Sequence, residues 1–176
     1  MAGENMEDRW IKWVALTTTI LAVCAAIASL KGGGYSTKVQ LYTTMETNRW
    51  SYFQSKSIKE HLMGLQKDSF EMAVYGSANP KAKKFIEDKV KFYESEIARY
   101  KSEKDKIQKE AEDISKQEDV FKRHSGNFGL AVMFLQIAIM LSAVGALIKR
   151  IILWHGGLII GVAGLVYMLN GFFLWF

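Results

Sequence analysis

The sequence predicts an all-α membrane protein with three transmembrane helices and a long antiparallel helical hairpin, of coiled-coil type, between the first and the second. Three observations carry this. Residues 13–30, 128–148 and 151–176 are blocks without Asp, Glu, Lys or Arg. Each is long enough, at about 1.5 Å per residue, to cross a hydrocarbon core of about 30 Å. Of the 23 Lys+Arg and 18 Asp+Glu in the chain, 19 and 15 fall between the first and second blocks. The single Pro, at 80, ends the run Gly76-Ser77-Ala78-Asn79-Pro80, a cluster of turn formers that divides the charged region into two arms of similar length.

Residues 1–12 read as a short polar tail. Arg9 and Lys12, ahead of an apolar run reaching Ala26-Ile27-Ala28, have the outline of a secretory signal. The run is long for that role, and the tail is acidic at Glu4, Glu7 and Asp8, so residues 13–30 read as a retained anchor. Trp10 and Trp13 suit its entry, because an indole ring favours the headgroup layer. The glycines at 32, 33 and 34 weaken helix continuity and predict a change of direction, with Gly126-Asn127 as the matching junction.

The extramembrane region 31–127, with its turn at 76–80, shows no alternating strand pattern. At about 1.5 Å per residue each arm extends roughly 60 Å. In the second arm Ile86, Val90, Tyr93, Ile97, Tyr100, Lys104, Ile107, Ala111, Ile114, Glu118 and Phe121 follow alternating spacings of four and three. Such a 3.5-residue repeat lays a narrow stripe along a supercoiled helix, and Ile86, Val90, Tyr93, Ile97, Tyr100, Ile107 and Ile114 are the expected hairpin seam. The first arm offers a thinner stripe in Leu41, Thr44, Asn48, Ser51, Ser55, Ile58, Leu62, Leu65, Ser69 and Met72. Nearly opposite it lie Tyr42, Met45, Trp50 and Phe53, which one partner helix cannot also cover; these are the expected oligomer interface.

The turn between the last two spans is placed at Lys149-Arg150. Small residues recur at packing intervals in the spans: Ala22 and Ala26, then Ala138, Ser142 and Ala146, then Gly157 and Gly161. In lipid, helices associate where small side chains let backbones touch, either within one chain or between chains.

The stretches Trp13-Val14-Ala15-Leu16-Thr17-Thr18, Leu21-Ala22-Val23, Ala26-Ile27-Ala28-Ser29-Leu30-Lys31-Gly32-Gly33 and Trp50-Ser51-Tyr52-Phe53-Gln54-Ser55-Lys56-Ser57-Ile58-Lys59-Glu60 resemble the bacterial membrane proteins grouped as the domain of unknown function 4337 family. The resemblance implies the same order of parts and a bacterial origin, and the expected location is the cytoplasmic (inner) membrane. It implies no catalytic residue, because that family has no assigned activity.

Little else in the chain points to chemistry. The spans lack the ionisable groups that mark proton and ion pathways. Thr17, Thr18, Thr19, Gln136, Ser142, His155 and Asn170 read as interhelical hydrogen-bonding groups. His61, His124 and His155 have no ligand partner at metal spacing, Cys24 stands alone, and no nucleophile motif is present. No catalytic, cofactor or metal site is expected. The formal charge of +5 is spread among interleaved acids, which argues against nucleic acid. Lys149 and Arg150 in the short turn favour an inside N-terminus and an external stalk. The expected function is a non-enzymatic scaffold or cage built from copies of the chain in the bilayer. An oligomeric channel and an accessory subunit that binds another membrane protein are the alternatives.

Overall fold

The computed structural model describes residues 6–76 and 79–175, with side chains from Trp10 onward. Positions 1–5, 77–78 and 176, which include much of the expected tail and the middle of the expected turn, lie outside the described residues. Among the described residues every regular element is a helix: α1 spans Met6–Gly76, α2 Pro80–Leu147 and α3 Ile151–Phe173. Each contains a stretch long and apolar enough to cross a membrane.

The helix ends follow local chemistry. Asn79 caps α2: its side-chain Oδ1 accepts the Lys81 N–H at 3.0 Å, and Pro80 occupies the first helical position, where a missing N–H costs nothing. Between α2 and α3 the Arg150 N–H donates to the Gly145 carbonyl at 2.9 Å and Lys149 N–H to that of Ala146 at 3.3 Å, the paired bonds of a Schellman ending. Lys149 takes the left-handed position of that motif, φ 56°, normally given to glycine. At the far end of α3, Leu174 is left-handed as well, and buried Asn170 accepts the Trp175 N–H on its Oδ1 at 2.7 Å. Asn170 thus helps to close its own helix.

The chain divides into two compact units, the first made of residues up to Gln40 and from Glu118 on, the second of Leu41–Gln117. The first unit therefore takes in Lys31, Lys38 and Lys122, which composition assigns to the charged region. Its core has two clusters. Leu21 and Ala25 of α1 meet Leu135 and Ala138 of α2, and Ala28 of α1 meets Phe128 and Ala131 of α2. Helix α3 closes on α2 through glycines: a Cβ at Gly157 would lie 2.7 Å from Ser142 Oγ, and one at Gly164 2.8 Å from Leu135 Cγ. Gly161 faces Leu21 and Ala138 in the same way.

No break occurs at residues 32–34 or at Gly126-Asn127; α1 and α2 run through both as helix, and no glycine among the described residues has positive φ. The expected change of direction is corrected by packing. Gly32 is small because Phe128 lies against it, its Cβ 3.0 Å from where a Gly32 Cβ would stand. A helical glycine costs roughly 1 kcal/mol relative to alanine, which a helix of this length tolerates.

In the second unit residues of α1 and α2 pair in opposite senses: Arg49 with Glu110, Lys56 with Glu103, Glu60 with Lys104 and Lys67 with Glu94. Phe70 stacks on Tyr93 with ring centroids 5.6 Å apart. The less exposed positions of α1 here include Tyr42, Glu46, Trp50, Phe53, Lys56, Glu60, Met63, Lys67, Phe70 and Val74, and from Phe53 to Val74 they keep the alternation of three and four that α2 shows. The first-arm stripe expected from its aliphatic residues is thus out of phase: Leu41, Ile58, Leu62, Leu65 and Met72 are 51–69% exposed. The reason is that a mixed row of rings and charges on α1 finds matching rings and opposite charges on α2.

Two outcomes follow for thermal unfolding. Gly157→Val should destabilise the protein by about 1–3 kcal/mol, because the new methyls collide with Ser142 and the Ala138 carbonyl. Gly33→Ala, where a Cβ meets nothing within 4 Å, should be neutral or stabilising by up to about 1 kcal/mol.

Candidate functional site

The densest side-chain chemistry in the first unit gathers where the apolar parts of the three helices end. Tyr35 of α1 stacks on His124 of α2, centroids 4.4 Å apart and planes within 11°. Phe121 and Phe128 flank the same ring at 6.2 and 5.9 Å. The Lys38 ammonium lies 5.4 Å from the Tyr35 centroid and 5.2 Å from that of Phe121. The His124 imidazole donates from Nδ1 to the Gly171 carbonyl at 2.7 Å, tying α2 to the last turn of α3. Such a carbonyl lacks an intrahelical partner, so the bond serves helix capping as well as packing. Buried Glu118 pairs with Lys122 at 3.0 Å.

The opposite end of this unit is marked by indoles. Trp154 donates from Nε1 to Thr17 Oγ1 at 3.2 Å, joining α3 to α1. Thr18 and Thr19 donate to carbonyls of their own helix, to Val14 O and Ala15 O at 2.8 Å each.

The residues expected at helix contacts are only partly used. Ala138 and Ser142 are buried, Ala146 is half-buried, and Gly157 and Gly161 pack within this chain against α2 and α1. Within this chain Ala22 and Ala26 are exposed, and Leu21, Ala25 and Ala28 make the contact to α2. On α2 the named seam residues Ile86, Val90, Tyr93, Ile97 and Ile114 are half-buried, while Tyr100 and Ile107 are buried.

The four residues expected to form an outer interface do not share an outer face. Phe53 lies under the Lys104 ammonium at 5.3 Å, so it points to α2, and Tyr42 is half-buried in the same row. Trp50 packs edge-on to Phe53, centroids 5.6 Å apart, and donates from Nε1 to Glu46 at 3.2 Å. Met45 alone is clearly exposed, at 41%. The outward apolar row belongs instead to Ile58, Leu62, Leu65 and Met72. A spacing signal for this existed, since Tyr42, Glu46, Phe53, Lys56, Glu60, Met63, Lys67 and Phe70 keep the heptad, but the row is half charged and a search for apolar residues passes over it.

Electrostatics in the second unit centre on Lys56, whose ammonium lies 2.6 Å from Glu103 and 5.3 Å from the Tyr52 and Tyr100 rings. The hydrogen bond from Lys56 holds the Glu103 carboxyl below its ordinary range, and the same bond raises the Lys56 ammonium. Because the folded-state value of Glu103 is lowered, its contribution is present above the unfolded carboxylate value of about 4.3 and is lost as pH falls through the folded one. Unfolding scans of the wild type and Glu103→Gln should therefore differ at neutral pH and converge in acid, below the unfolded carboxylate value of about 4.3.

Among the described residues, no group of three or more His, Cys, Asp or Glu side chains is placed to hold a metal ion. What the first unit offers is binding chemistry: ammonium groups, ring faces and open backbone at one level of the bundle. No curated protein and no solved structure matches the chain. A family model does, over residues 10–174, which covers all three helices almost entirely. The chain belongs to that family, described as Domain of unknown function (DUF4337).

Proposed function

We propose that this is a non-enzymatic, multi-pass membrane protein that self-associates into a homo-oligomeric scaffold through an antiparallel coiled-coil hairpin outside the bilayer. The membrane part of this reading is supported by the first unit. Trp13 and Tyr35 on α1 are separated by about 33 Å at 1.5 Å per residue, close to the hydrocarbon thickness of about 30 Å. Trp154 and Trp175 stand in for them on α3, so rings suited to the headgroup layer bracket the apolar stretches of α1 and α3. Bacterial origin follows the family resemblance, the inner membrane is the proposed location of the helical spans, and Lys149-Arg150 in the shortest turn favours an external hairpin.

The observation that carries self-association is the exposed row Ile58, Leu62, Leu65 and Met72 on α1, 62, 52, 51 and 69% exposed in a segment otherwise solvated by charge. Fully burying one such side chain is worth about 1.5–3 kcal/mol, a gain this hairpin leaves unused. Ile58, Leu65 and Met72 recur every seven residues, so the same row on a second hairpin can interleave with it. Membrane anchoring keeps copies in one plane and one orientation, which lowers the affinity each contact needs. A conduit has less support, because Thr18 and Thr19 bond to their own helix, Thr17 is joined to Trp154 and Asn170 is buried.

Cysteine cross-linking tests the reading. With Cys24→Ser as background, Leu65→Cys in intact membranes should give disulfide-linked dimers on mild oxidation, and Met63→Cys, half-buried against α2, should give far fewer. Native mass spectrometry of the wild type should show an oligomer that Ile58→Asp/Leu65→Asp dissociates while helix content is retained. A wild type that stays monomeric would put the accessory-subunit reading ahead.

A further inference from the structure

We infer that α1 carries a binding site for the headgroup of an anionic phospholipid at Lys31, Gly34 and Lys38. The inference rests on the membrane reading proposed above and adds to it a ligand class. A shallow groove of about 320 Å³ on α1 is lined by Leu30, Lys31, Gly34, Tyr35 and Lys38. Its two ammonium groups lie seven residues apart, on one side of the helix, with Gly34 between them. Neither lysine forms a salt bridge among the described residues, and α1 carries no acid between Trp10 and Met45. Lys38 is held at the groove by the Tyr35 and Phe121 rings at 5.4 and 5.2 Å, so its charge is placed without being neutralised.

Gly34 is the second reason. It is helical, its φ is negative, and a Cβ built on it meets nothing within 4 Å, so neither a turn nor intrachain packing calls for glycine there. A helical glycine is unfavourable relative to alanine, and an uncovered one leaves backbone open to close approach from outside. What can approach is set by charge and by level. The groove sits where the charge-free run of α1 ends, beside Leu30, which is 78% exposed and apolar. An anionic phospholipid meets both demands, with phosphate oxygens between the two ammonium groups and an acyl chain along Leu30. The nearby acids do not compete, since Glu118 and Asp119 both lie within reach of Lys122.

The test uses the full chain in nanodiscs of phosphatidylcholine with or without phosphatidylglycerol, read by native mass spectrometry of lipid retained on release. Phosphatidylglycerol should be retained over phosphatidylcholine. Lys31→Gln and Lys38→Gln should each lower that retention about fivefold, the worth of one lysine at an anionic surface. Lys149→Gln/Arg150→Gln, at the other end of the bundle, should leave it unchanged. Gly34→Leu, which keeps both charges and suits a helix, should also weaken it by filling the groove. Equal retention of the two lipids, or equal loss from the Lys149/Arg150 variant, overturns the inference. So does displacement of the lipid by soluble glycerophosphate at matched concentration, which would make the ligand a free phosphoester. Alkaline extraction of native membranes separates this from the underlying reading: release of the chain by carbonate would sink the membrane assignment, whereas a chain that stays in the membrane but shows no lipid preference sinks the headgroup site alone.

Discussion

Phe128 fills the point where the three helices of the apolar unit meet, and the rest of that unit depends on the room made for it. The ring is fully buried, with Phe172 edge-on at 4.9 Å and Tyr35 at 5.9 Å. It fits because Gly32 on α1 and Gly171 on α3 turn bare backbone towards it, at 3.0 and 3.1 Å from where their Cβ atoms would stand. Protein interiors are packed to crystal density, so a large ring at a three-helix junction demands small partners. The same exchange recurs along α3, where Gly157, Gly161 and Gly164 each receive a side chain of a facing helix. In a lipid environment, where burial of apolar surface drives little association, such close contact is the main source of helix cohesion.

A different balance holds in the second unit, where the interacting rows are half polar. Four ion pairs and one ring stack connect α1 to α2 there. An ion pair as exposed as Arg49–Glu110 contributes only about 0–1 kcal/mol, so such pairs select the facing rows more than they stabilise them. Swapping to the aliphatic row would bury more apolar surface but would set Glu94, Glu103 and Glu110 opposite no cation. That selection leaves Ile58, Leu62, Leu65 and Met72 outside, and the scaffold reading rests on this by-product of charge pairing.

The border cluster packs its rings while leaving a cation at the surface. His124 spends its Nδ1 proton on the Gly171 carbonyl and its ring face on Tyr35, which locks α2 and α3 at the level where polar groups begin. Lys38 rests on the rings of that assembly and presents a positive charge. Rigid rings under a cation reduce the entropy lost when an anion binds.

Helix content, the three apolar stretches, the turn near Lys149-Arg150 and the row of α2 from Ile86 to Ile114 were legible in the amino-acid order, because hydrophobic run length and 3.5-residue spacing are local properties of one chain segment. Which face of α1 meets α2 was not. Apolar content pointed to Ile58 and Leu62, but the choice depends on where Glu94, Glu103, Lys104 and Glu110 stand on the other helix, a pairing that only folding creates. The glycines divide in the same way. Sequence marks Gly32, Gly33 and Gly34 alike as weak points of a helix, yet the tertiary structure gives Gly32 to Phe128 and leaves the other two uncovered. A glycine's role is set by what approaches it, and that neighbour, ninety-odd positions away in the chain for Gly32, is brought there by packing rather than by local preference.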